Sequence, residues 1–71
     1  MNLVISRHTP VADLPELLSV EEAATWLGIG RSLAYDLVGR GDLASVRLGR
    51  LLRVPRAALA AMVEQTQAVS A

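Results

Sequence analysis

The chain has no cysteine and no phenylalanine among its 71 residues. Without cysteine there is neither a disulfide framework nor a zinc finger. The one histidine, His8, cannot make a metal site by itself, so no metal or cofactor is expected. Aromatics stop at Trp26 and Tyr35, which leaves Leu, Val and Ala to build the core. No apolar run approaches the roughly 20 residues of a membrane span. The start, MNLVIS, lacks the basic and long apolar regions of a signal peptide. The expected setting is soluble and cytoplasmic, with no membrane partner. A chain of this length makes one small domain with a thin core. Its 52% hydrophobic content excludes a generally disordered polyelectrolyte.

Net charge is also missing: the formal sum is zero. That argues against a non-specific, histone-like coat. The charge present is segregated, however. Residues 29–56 hold six of the seven arginines against Asp36 and Asp42, a net +4, and the remainder carries −4. Segregation of this kind matters more for nucleic-acid binding than the total.

Residues 1–18 lack a clear period. Pro10 and Pro15 disfavour helix in the residues before them, so this stretch is expected to be an extended arm held by a neighbouring subunit. Ser19 and Glu22 form a capping-box pair, S-x-x-E. Val20, Ala23, Ala24 and Leu27 then follow at helical spacing, and Gly28 supplies a stop. A helix over 20–27 is predicted. Gly28-Ile29-Gly30 is the turn. A second helix is predicted from Arg31 to Val38 or Gly39, with Ala34, Leu37 and Val38 inward and Gly41 as terminator. Helix, three-residue turn, helix is the helix-turn-helix pattern.

A strand-like alternation comes next. An odd-length loop, Leu48-Gly49-Arg50, would pair Arg47 with Leu51 and Val46 with Leu52. It would gather Ala44, Val46, Leu52 and Val54 on one face. A two-residue Gly49-Arg50 turn is chemically reasonable but mixes the faces, so the odd loop is preferred. Pro55 suits the first turn of a third helix, with Leu59, Met62, Val63 and Val69 as its apolar stripe. Residues 65–71 are expected to fray unless a partner holds them. The fold class is mainly α with a small β-hairpin: a winged helix-turn-helix domain over 19–66, an arm over 1–18 and a tail over 67–71.

No catalytic constellation is present. Ser19, Ser32 and Ser45 have no plausible base, and Asp36 and Asp42 sit among arginines as salt-bridge partners. The chain is not expected to be an enzyme. Double-stranded DNA fits the charge better. Arg31 and Ser32 stand at the start of the second helix, where a recognition helix meets base edges. Arginine can bond guanine O6 and N7 together. Tyr35 has two open readings, a phosphate or sugar contact and a half-buried core ring with a surface hydroxyl. Asp36 would repel phosphate, and its expected role is to orient Arg31 or Arg40. Arg40 can pair with Asp36 at i,i+4. Arg47, Arg50 and Arg53, with Gly49 at the tip, suit a wing reaching a minor groove or its phosphates. Arg56 is a weaker candidate.

The run SVEEAATWLGIGRSLAYDLVGRGDLASVRLGRLLRVPRAALAAMV resembles the small excisionase-type, MerR-related winged helix-turn-helix family. The resemblance covers roughly residues 18–63. It rests on Ala23, Ala24, Leu27, Gly28, Tyr35, Gly41, Leu43, Arg47, Gly49, Arg50, Arg53 and Pro55. It departs at Gly30, where the family usually caps with Ser or Thr, at Leu33 for Thr, and at Asp36 for a basic residue. The resemblance implies a second helix in the major groove and a hairpin at the adjacent minor groove. It further implies an excisionase of a phage or mobile element that acts in a bacterial host. Such a protein binds repeated sites cooperatively, bends DNA and assists an integrase. About three or four phosphate contacts bind weakly at physiological salt, so self-association on DNA is expected. A small transcriptional regulator of the same fold is the alternative. A third reading is an interaction module whose arginine face meets an acidic protein.

Overall fold

The computed structural model describes residues 5–69, with side chains as far as Glu64. The described residues form strand β1 (Leu17–Ser19), helix α1 (Val20–Leu27) and helix α2 (Arg31–Arg40). Strands β2 (Val46–Leu48) and β3 (Leu51–Pro55) and helix α3 (Arg56–Val69) follow. The architecture is a winged helix-turn-helix with an antiparallel three-stranded sheet in the order β1-β3-β2.

The start of α1 is locally determined. The Ser19 hydroxyl accepts from the Glu22 N–H at 3.0 Å, and the Glu22 carboxylate accepts from the Ser19 N–H at 2.9 Å. The helix ends where Gly28 adopts φ 73° and donates its N–H to Ala24 and Thr25 carbonyls. A Cβ is strained at that φ, so glycine is the residue that permits so abrupt a stop.

Helix α2 begins less well. Gly30 is its N-cap at φ −75°, ψ 160°, and offers no side-chain bond. That backbone suits any residue, and a Cβ there would meet nothing within 4 Å. Gly30→Ser is therefore expected to raise unfolding free energy by a few tenths to about 1 kcal/mol. A urea melt checks this, and a loss of stability would contradict the cap geometry.

The core draws on every element except β2, whose three residues are exposed. Helix α1 supplies Val20, Ala23 and Ala24, and α2 supplies Ala34. Leu43 follows α2, Leu18 and Val54 come from the sheet, and Leu59 comes from α3. Trp26, Leu27, Ile29, Leu37, Val38, Leu52 and Met62 pack around it half-buried.

Three expectations are corrected. The first concerns the arm. Leu14 and Leu18 are buried, and β1 pairs with β3 through Leu18↔Val54 and Ser19↔Arg53. The contacts holding this stretch are within the chain. Trp26 donates its indole N–H to the Thr9 carbonyl at 2.6 Å. Arg56 donates its backbone N–H to the Glu16 carbonyl at 2.8 Å, and its guanidinium donates to the Leu14 carbonyl at 2.9 Å. The hairpin thus gains a third strand.

The second correction concerns the wing register. The pairs are Val46↔Arg53, Arg47↔Leu52 and Leu48↔Leu51, not Arg47 with Leu51. Gly49 takes φ 64° and Arg50 does not leave the negative-φ side, as a type II′ two-residue turn requires. Its twist matches that of the strands it joins, and this outweighed segregation of apolar faces. Val46 and Leu51 therefore lie outward, 38% and 52% exposed, together with Leu17 and Leu48. Ala44 is exposed as well. Arg47 and Arg53 fall on opposite faces of the sheet.

The third is Pro55. It closes β3 opposite Leu17, and α3 starts one residue later at Arg56. Helix α3 runs to Val69, through most of the stretch expected to fray. Of the expected tail over 67–71, residues 67–69 continue α3, and residues 70–71 lie outside the described residues.

Candidate nucleic-acid interface

Ala34 faces the core, and Leu37 and Val38 lie half-buried beside it. With α2 anchored on that side, Arg31, Ser32, Tyr35, Asp36 and Gly39 are exposed on the other. Arg31 is the first residue of α2, at the end carrying unsatisfied N–H groups and partial positive charge. This is where an anion or a base edge can be met.

Arg31 is not held by Asp36. Its Nε lies 3.3 Å from Oε2 of Glu21, in the first turn of α1. The same oxygen accepts the Tyr35 hydroxyl at 3.0 Å. The Arg31 guanidinium also lies over the Tyr35 ring, 5.6 Å from its centroid, in a cation–π arrangement. Both open readings of Tyr35 are thereby narrowed, since its hydroxyl is committed to Glu21 while the ring stays 39% exposed. Asp36 instead sits 3.1 Å from Arg40, at the i,i+4 spacing, and Arg40 is also 3.7 Å from Asp42. These two acids take up Arg40 and leave Arg31 to Glu21.

Sequence reasoning missed the contacts of Glu21. Its partners lie 10 and 14 residues away on another helix, and no local spacing rule reaches that far. The Glu21 carboxyl titrates below the ordinary glutamate range. Its own backbone N–H is the main cause, followed by the Tyr35 hydroxyl; burial opposes them, and the Arg31 and Arg53 charges add smaller lowering contributions. A lowered folded value means the carboxylate's stabilising contribution is complete above the unfolded value. It is lost as pH falls through the folded value. In an NMR titration, Tyr35→Phe is expected to move the Glu21 midpoint upward. An unchanged midpoint would contradict the hydrogen bond.

The wing lies beside this cluster. Ser19, the cap of α1, pairs with Arg53 in the sheet, which brings Arg53 close enough to act on Glu21. Arg53 also donates to its neighbour's carbonyl, Leu52 O, at 3.0 Å. Gly49 and Arg50 form the exposed tip, and Arg47 is exposed on the other face. Neither Arg47 nor Arg50 has an ion-pair partner among the described residues. Of the arginines, Arg56 has turned structural, because it clamps the segment before β1. Among the described residues no group of His, Cys, Asp or Glu could hold a metal ion, and no helix is long and apolar enough to cross a membrane.

Two anchored helices joined by three residues, followed by a hairpin with an arginine at its tip, match a known sequence family. The model of the helix-turn-helix domain family matches residues 17–67. The chain belongs to that family. This helix-turn-helix domain is also similar to two further proteins. One is described as a probable excisionase from Saccharopolyspora erythraea. It is 58% identical over 43 residues, which cover 61% of this chain and 44% of that protein. The other is an excisionase from Streptomyces ambofaciens. It is 46% identical over 41 residues, covering 58% of this chain and 66% of that protein. The chain thus spans less than two thirds of the length of either relative.

Proposed function

We propose that this helix-turn-helix domain is a sequence-specific DNA-binding excisionase. It binds repeated sites cooperatively, bends the duplex and turns an integrase toward excision of a phage or mobile element. The observation that carries the reading is Arg31. It stands at the open N-terminus of α2, exposed, with Arg53 of the wing on the flank of the same helix pair. The two relatives named excisionase support the same reading.

In this reading α2 enters the major groove, where the Arg31 fork meets guanine and Ser32 stands next to it. Arg50 at the wing tip and Arg47 beside it approach the minor groove or its phosphates, and Gly49 lets the turn come close. Arg40, neutralised by Asp36 and Asp42, contributes less than its charge suggests. The protein works on DNA in the cytoplasm of a bacterial host, as a non-catalytic partner of the recombinase. The segment before β1 is occupied by its own core, which leaves the C-terminal residues 67–71 as the natural contact to an integrase or a neighbouring copy.

One domain with few phosphate contacts binds weakly at physiological salt, so neighbouring copies must reinforce one another. Gel-shift titrations on attachment-region DNA are expected to show apparent affinity about tenfold higher or more on adjoining sites than on one isolated site. Equal and independent binding at each site would contradict cooperative assembly.

A further inference from the structure

We infer that Glu21 is a positioning residue that aims the Arg31 fork and so sets base discrimination, at the expense of affinity for DNA in general. This rests on the DNA-binding reading above. A guanidinium has five N–H donors in one plane. Glu21 engages Nε, on the side edge of that plane. Among the described residues no other acceptor meets the group, so the end edge, formed by Nη1 and Nη2, stays open. That edge has the spacing to meet O6 and N7 of guanine together. The Tyr35 ring beneath the guanidinium limits its rotation, and the Tyr35 hydroxyl holds the Glu21 carboxylate in turn. Two helices thus constrain one side chain from two sides, and the Tyr35–Glu21 hydrogen bond links the two.

The carboxylate has a second effect. It is an exposed negative charge beside the surface that would face phosphates, and it repels every duplex equally. Removing it should therefore move two quantities in opposite directions. Affinity for arbitrary DNA rises, and preference for the correct base falls. Loss of fold, or a merely structural role, would lower both together.

The probes are duplexes enriched from a random pool by the wild-type protein, and shuffled duplexes of the same composition. Binding is measured at several salt concentrations for Glu21→Ala, Glu21→Gln and Tyr35→Phe, with Glu64→Gln as a control for a remote charge. Glu21→Ala is expected to bind shuffled DNA roughly two- to fivefold more tightly. Its enriched-to-shuffled ratio is expected to fall roughly three- to tenfold. Tyr35→Phe should lower the ratio by a smaller factor, and Glu64→Gln should leave it unchanged. An unchanged ratio in Glu21→Ala, alongside a lost one in Arg31→Ala, would overturn the positioning role. A rise in affinity for the enriched duplex equal to that for shuffled DNA would show that Glu21 competes with DNA for Arg31, and would overturn it too. Failure of the wild type to enrich any sequence would overturn the DNA-binding reading itself, and the inference with it.

Discussion

Leu18→Ala is expected to cost about 2–5 kcal/mol of stability, whereas Leu17→Ala next to it costs less than about 1 kcal/mol. The two residues are neighbours on β1 and point to opposite faces. Leu18 is fully buried opposite Val54, and Leu17 is 42% exposed opposite Pro55. A small domain has about 5–15 kcal/mol of stability in total, so the loss at Leu18 is a large share of it. In a thermal melt it should lower the midpoint by about 10 °C or more. The contrast tests whether the segment before α1 belongs to the core. If Leu18→Ala and Leu17→Ala melted alike, that segment would be a loosely attached arm after all.

The second large effect is on recognition. Arg31→Ala is expected to reduce discrimination between enriched and shuffled duplexes by about tenfold or more, which corresponds to the roughly 1–3 kcal/mol of a bidentate base contact. Arg31→Lys separates the fork from the charge. A lysine keeps the attraction to phosphate but has a single point of donation, so it should retain affinity and lose preference. If Arg31→Lys discriminated as well as the wild type, Arg31 would be a phosphate contact and the base reader would lie elsewhere. The arrangement with Glu21 and Tyr35 argues for the fork, since two linked groups, the carboxylate and the ring, constrain the plane of one guanidinium.

Much of the helix-turn-helix was legible in the sequence, because its signals are local. The Ser19–Glu22 box, the Gly28 stop and the Gly41 terminator each act within four residues, and the structure places both helices accordingly. Most of the misreadings fall where distant segments meet. Strand β1 is three residues long and is stabilised by β3, some 36 residues on, so its own composition carries little sign of it. The wing register turned on a competition between turn geometry and face purity, and the preference of Gly49 for positive φ decided it. Arg56 looked like one more surface cation until its two bonds to carbonyls of residues 14 and 16 were placed. Asp36 was the acid that fitted least with a basic surface, and its Arg40 partner accounts for it. The acid that matters to Arg31 is on the other helix, where spacing along the chain gives no warning.

The most direct test of a DNA-facing surface built from Arg31 and the wing is the salt dependence of duplex binding. With about three or four phosphates neutralised, log affinity plotted against log salt should fall with a slope of roughly −3 to −4 for the wild-type protein. Arg50→Ala should make that slope shallower by about one, and lower affinity for all duplexes alike. A flat dependence on salt, unchanged in Arg50→Ala, would contradict the account and leave the arginine surface without a nucleic acid to bind.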